Sequence, residues 1–181
     1  MKYRYRGTSG VLMSRITLGT MTFGAPDWGC DEKTSHQILK RFVDAGGNSI
    51  DIADVYAGGK SEEIVGRFLS QVNRDDLIVA SKFSLPTGEA PTRFGASRKR
   101  IVTACEESLK RLGTDYIDLY QFHNGGYSPA LAIEVRETLE VLVTEGKIRA
   151  YGWSTDDPDR ASVFAEGSSC TAVQHQMNVL N

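Results

Sequence analysis

Short apolar runs alternate with amphipathic helical stretches along almost the whole chain. The runs fall at 16–18, 49–51, 77–82, 117–122, 148–153 and 172–176, and the helical stretches near 32–45, 61–72, 97–112, 130–145 and 157–166. The helices show their period: Ile101, Cys105, Ser108/Leu109 and Leu112 form one stripe, as do Leu131, Val135, Leu139 and Leu142. Gly46-Gly47, Gly113 and Gly146 each follow a helical stretch, where a residue at positive φ commonly ends it. Ser61 is expected at an N-cap, with Glu62 and Glu63 in a first turn that favours negative charge. Before the first run, residues 3–15 read as a small hairpin turning at Gly7-Thr8-Ser9-Gly10. Regular β-then-α order demands parallel strands joined by right-handed crossovers. An open nucleotide-binding sheet usually carries GxGxxG after its first strand, and LGTMTFG stands there instead. A parallel barrel of the (β/α)8 type is therefore expected, with about six βα units in residues 1–181, read as one domain.

In such a barrel, chemistry collects at the C-terminal strand ends. Asp51 closes the second run, Lys82 the third, and His123 follows the fourth; Tyr56 stands in the loop after Asp51. Each alone is weak: a strand-end Asp is more often a cap or an ion-pair partner, and a loop Tyr is usually packing. Together they make coherent acid–base chemistry. A phenol ordinarily ionises near pH 10, and an ammonium against it favours the phenolate. An Asp behind the Lys holds that ammonium, and a His beside the Tyr can donate a hydrogen bond to a substrate oxygen. That set suits a general acid for a carbonyl becoming an alcohol, with a hydride attacking the carbon.

Charge excludes other classes. With 21 Lys+Arg against 23 Asp+Glu, the net charge of −2 leaves no excess to coat nucleic acid. No run approaches the roughly 20 apolar residues of a membrane span, and no apolar segment follows the basic start as in a secretory signal. Cys30, Cys105 and Cys170 are odd in number and far apart, so they read as reduced thiols of a cytoplasmic protein, with no metal site. Gly59-Lys60-Ser61 hints at a phosphate-binding loop, but Asp54 occupies the position where that motif needs its first Gly.

Longer segments carry a resemblance. LGTMTFG at 18–24, GGNSIDIADVYAGGKSEEIVG at 46–66, SKF at 81–83, ESLKRLGTDYIDLYQFH at 107–123, GKIRAYGWST at 146–155 and VQHQ at 173–176 resemble the aldo-keto reductase superfamily. The GASRKRI stretch at 95–101 is similar to its bacterial, plant and fungal reductases and potassium-channel β-subunits. The resemblance implies NADPH-dependent reduction of a small-molecule aldehyde or ketone, with NADH as the other cofactor. It implies that Tyr56 is the general acid, tuned by Lys82 and Asp51, with His123 orienting the carbonyl. It further implies that Thr20 and Met21 lie near the nicotinamide ribose, that Asp51 bonds the ribose, and that Ser154 and Gln174 bond the carboxamide. The family's Ser-Asn or Ser-Arg pair is here Ser154-Thr155, a shorter partner, and its Pro-Asp after the His is here Asn124-Gly125-Gly126. Met21, Phe23 and Trp28 are candidates to line an apolar substrate pocket, with core packing an equal alternative.

Barrels of this kind run to roughly 250 residues, so six units correspond to a truncated one. The diphosphate- and adenosine-binding segments of the family lie in the part not represented. Open edge strands then make self-association an expectation, and a cofactor-binding or assembly module is the alternative to an active enzyme.

Overall fold

The computed structural model describes residues 1–7 and 9–177. Thr8, within the expected hairpin turn, lies outside them. The hairpin itself is present: β1 (Tyr3–Tyr5) pairs antiparallel with β2 (Leu12–Ser14). A six-stranded sheet follows, all parallel, in the spatial order β3-β4-β5-β6-β7-β8. Its strands are β3 (Leu18–Gly19), β4 (Ser49–Asp51), β5 (Ile78–Phe83), β6 (Leu119–Phe122), β7 (Tyr151–Ser154) and β8 (Cys170–Gln174). Between them run α1 (Glu32–Asp44), α2 (Lys60–Leu69), α3 (Arg98–Leu112), α4 (Pro129–Thr144) and α5 (Pro158–Ala165). Spatial order equals sequence order, as unidirectional right-handed βα winding requires. Among the described residues β3 and β8 are each paired on one side only.

The helices start and stop where side-chain chemistry dictates. Asp31 accepts from Thr34 N at 2.8 Å to cap α1, and Ser97 accepts from Arg100 N to cap α3. Gly113 ends α3 in the left-handed region at φ 63°. The sheet has two unlike faces. Val79, Phe83, Tyr120, Phe122 and Trp153 face the helices and join Ile101, Leu139 and Phe164 in the main core. The alternate positions Ala80, Leu119 and Ala150, with Ala172 packed against them, form a small separate cluster on the concave face.

Several strand boundaries differ from expectation. The first strand forms at 18–19 rather than 16–18. Ile117 and Ile148 meet only in an isolated bridge, so β6 and β7 begin later. β8 ends at Gln174 because Gln176 N turns to the Asp156 carboxylate, at 2.6 Å, instead of the sheet. Among the described residues no helix is long and apolar enough to cross a membrane.

Candidate active site

Asp51 and Lys82 sit at the ends of neighbouring strands, with Asp51 in register with Ala80. Side chains alternate faces along a strand, so Lys82 shares the concave face with Ala80 while Ser81 points back toward the helices. Lys82 is 1% exposed, and all three of its donors are engaged. Its Nζ lies 2.6 Å from Asp51 Oδ2, 2.9 Å from the Ile52 carbonyl and 3.0 Å from Tyr56 Oη. Burying an ammonium is costly unless it is paired and hydrogen-bonded, and here both conditions are met.

Tyr56 opens a tight turn, Tyr56–Gly59, with Ala57 and Gly58 in the left-handed region, that leads into α2. Gly59, at φ 93°, is the N-cap, a backbone conformation open to few other residues. Ser61 is therefore inside the helix and not at the expected N-cap. Its hydroxyl instead donates to the Thr20 carbonyl at 2.9 Å. The Tyr56 and His123 rings meet edge to face with centroids 6.3 Å apart. His123 N donates to the Phe83 carbonyl, which fixes the start of its loop on β5. Burial, and then the charge of Lys82, push the His123 imidazole down to about 4, so it is neutral at physiological pH. Its Nδ1 is buried without a hydrogen-bond partner among the described residues.

Sequence reasoning thus named four side chains that the structure brings to one rim. The other assignments divide. Ser154, Thr155 and Gln174 border one polar cavity of about 570 Å³, next to Asp157 and Arg160. The Thr155 hydroxyl, however, donates to the Gly125 carbonyl and accepts from Asp157 N, so it closes the loop and is not offered to the cavity. Gln174 also borders the concave interior, a second cavity of about 560 Å³ that includes Asp51 and Gln121. Gln121 Nε2 donates to Gln174 Oε1 at 2.9 Å. Thr20 is buried, and its hydroxyl donates to the Asp51 carbonyl; Met21 beside it is half exposed. Of the two readings open for Phe23 the structure shows core packing, at 1% exposed in the main core, whereas Trp28 is 60% exposed.

The residues missed from sequence are those behind the rim. Glu62 was legible as a first-turn acid, but it is fully buried, accepting from Ser81 Oγ at 2.6 Å and from Arg111 Nε at 2.7 Å. Gly66 makes that pairing reachable, because a Cβ there would meet the Arg111 carbonyl at 2.4 Å. Asp54, also buried, lies 3.5 Å from Arg100 Nη2. The sequence signals were slight: Glu62 read as a first-turn acid, and Asp54 entered only as the residue filling a phosphate-loop glycine position.

Comparisons with known proteins bear on the family of the chain. The model of the Aldo/keto reductase family matches residues 15–181. The chain is 39% identical to the aldo-keto reductase YhdN of Bacillus subtilis over 99% of its own length and 54% of that protein's. It is 35% identical to the norsolorinic acid reductase of Aspergillus flavus, covering 91% of this chain and 46% of the relative. Among solved structures, the holo form of the aldo-keto reductase AKR11C1 from Bacillus halodurans superposes with a TM-score of 0.85 at 35% identity, over 98% of this chain and 58% of that one. The thermostable aldo-keto reductase Tm1743, solved with the inhibitor epalrestat, gives a TM-score of 0.84 at 28% identity, over 100% of this chain and 64% of that one. The chain spans about half the length of the curated relatives it matches. A parallel sheet in sequence order, an Asp–Lys–Tyr contact on its rim and the family match over 15–181 lead to one conclusion: the chain belongs to the aldo/keto reductase family.

Proposed function

We propose that this chain carries the proton-donating site of an NADPH-dependent reductase that converts an aldehyde or ketone to an alcohol. The observation that supports this most is the Lys82 ammonium, held at once by Asp51 and Tyr56. Tyr56 gives its phenolic proton to the carbonyl oxygen, and the ammonium 3.0 Å away stabilises the phenolate left behind. Asp51 keeps Lys82 aimed at the phenol. The neutral His123 imidazole carries one N–H that can donate to the same carbonyl oxygen and orient it. The polar cavity bordered by Ser154 and Gln174, continuous through Gln174 with the interior that includes Asp51, suits the amide and hydroxyl groups of a nicotinamide ribose. Ser154, Gln174 and Asp51 would hold it, with Met21 alongside, and the reduced nicotinamide would supply the hydride. NADH is the second cofactor to test.

The test uses quenching of intrinsic fluorescence by NADPH, then turnover of a generic aldehyde. Tyr56→Phe should leave NADPH binding nearly intact and cut kcat by about 10²–10⁴-fold, the usual scale for a general acid. A kcat within a few-fold of the parent would remove Tyr56 from the role. Binding without turnover in the parent itself would favour a cofactor-binding module.

A further inference from the structure

The three acceptors of the Lys82 ammonium all come from β4 and the segment after it, while Lys82 itself comes from β5. The geometry of the proton donor therefore depends on how β5 is turned relative to β4. Backbone pairing with β4 and β6 fixes the register of β5, and the side chains on its far face set how firmly it is seated against α2. Ser81, adjacent to Lys82, is the polar residue on that face. Its hydroxyl donates to Glu62 Oε1 at 2.6 Å, and Glu62 Oε2 accepts from Arg111 Nε at 2.7 Å. The residue before Glu62 reaches the other strand: Ser61 bonds the Thr20 carbonyl, while Thr20 N and its hydroxyl both donate to the Asp51 carbonyl at 3.0 and 3.1 Å. Two consecutive residues of the α2 first turn thus bond β5 directly, through Ser81, and the end of β4 indirectly, through Thr20.

A buried carboxylate is a poor way to gain stability, since an apolar residue of similar volume commonly serves as well or better. Glu62 sits among apolar neighbours of α2, Ile64 and Val65, that are buried equally deeply. Its value is directional. We propose that Glu62 is a positioning residue for the Lys82 ammonium, acting through Ser81, with Ser61 holding Asp51 through Thr20 as the second arm. This rests on the reading of Lys82 and Tyr56 as the proton-donor pair. A displacement of about 1 Å at reacting groups can cost about 10² in rate.

Ser81 is the clean probe, because Ser81→Ala leaves the Glu62–Arg111 pair in place. The first readout needs no turnover. An ammonium held by three acceptors exchanges its protons slowly enough to give a 15N–NH3 resonance, assigned by its loss in Lys82→Met. In Ser81→Ala that resonance should shift or broaden away, and in Ser81→Thr, which keeps the hydroxyl, it should stay. If alanine prevents folding, Ser81→Cys, nearly isosteric and a weak donor, should shift it in the same direction. A Ser81→Ala resonance that superimposes on the parent, or no Lys82 resonance in the parent at all, would overturn the proposal. The second readout is kinetic, with kcat expressed per NADPH-binding molecule. Ser81→Ala should lower it about tenfold while the NADPH Kd stays within about twofold. Activity that falls only in proportion to the folded fraction would mean a structural role alone. Should the parent neither bind NADPH nor reduce an aldehyde, the reductase reading fails, and the resonance still decides whether Glu62 positions Lys82.

Discussion

Strands β5 and β8 belong to the same parallel sheet, yet β5 is buried at all six positions and β8 at none of its five. β5 has a strand on each side and helices α2 and α3 behind it; β8 is paired only with β7, through a register irregularity between Tyr151 and Gly152. The two halves of the proposed chemistry fall on opposite sides of this divide. Asp51, Tyr56 and Lys82 stand on the buried side, cross-linked before any ligand arrives. Ser154 and Gln174, the groups proposed to meet the nicotinamide, stand on the thin side. Proton transfer needs its groups held to a fraction of an ångström and gains from the stiff wall. Cofactor recognition tolerates an edge that is completed by further contacts.

The most severe break of this contrast is one substitution in each region. Lys82→Met leaves the Asp51 carboxylate without its cation, and removing one partner of a buried pair costs about 3–5 kcal/mol. We expect it to abolish turnover near neutral pH and to lower the urea midpoint together. Gln174 is exposed, and the Gln121 amide it leaves borders a cavity open to water, so Gln174→Ala should cost no more than about 1 kcal/mol while NADPH binding weakens. Urea unfolding of both variants, with fluorescence titration of NADPH, separates the two. Equal destabilisation would erase the distinction.

Hydrogen exchange tests it without mutation. Amides bridging β4 and β5, such as Ile52 N to the Ala80 carbonyl at 2.8 Å, should open only with global unfolding. Amides around β8, such as Thr155 N to the Gln174 carbonyl, should exchange through local opening about 2–4 kcal/mol less costly. Uniform protection across the sheet would show that the edge is as firm as the centre.

The buried side also traps an acid, and that gives a pH dependence with a definite sign. Asp54 faces Arg100 and Arg111 of α3 and Glu62 of α2. Burial first, then the Glu62 charge, push its carboxyl up from 3.8 to about 7. Its Oδ1 has no partner among the described residues. A raised carboxyl contributes stability fully present below the unfolded value and lost as pH rises from about 4 through about 7. Asp54→Asn should therefore gain on the parent between pH 5 and pH 8, by roughly 1–3 kcal/mol. Urea midpoints that stay parallel across that range would place the charge of Asp54 in water.

Much of the architecture was legible because its signals are local. The stripe on α3, the glycine after it and the apolar β5 run each report their own conformation, and together they set sheet order. The candidate site residues were legible because strand ends in a parallel barrel share one rim. Glu62, Ser81 and Ser61 were not, since nothing in the string SEE separates a solvated first-turn acid from one folded back onto Arg111, 49 residues away. Phe23 stayed open between pocket and core for the same reason: an aromatic beside a rim glycine looks alike whether it faces substrate or core. Thr20, expected near the nicotinamide ribose, turns its hydroxyl to the Asp51 carbonyl, a contact with no signal in the sequence.

The smallest expected effect tests whether the wall alone holds Tyr56. Ala57, directly after it, lies in the left-handed region at φ 49° and ψ 38°. That conformation costs a non-glycine residue about 1–2 kcal/mol, while glycine there would lose about 0.4–1 kcal/mol more chain entropy on folding. Ala57→Gly should thus stabilise by about 0.5–1 kcal/mol, visible as a small rise in urea midpoint. Its effect on rate is the informative part. The phenol is already anchored by Lys82 at 3.0 Å and bounded by the His123 ring. If those contacts are sufficient, the looser turn changes kcat by no more than about twofold. A tenfold fall with a higher midpoint would mean that the strained alanine turn itself aims Tyr56, and that the proton donor depends on the loop as much as on β5.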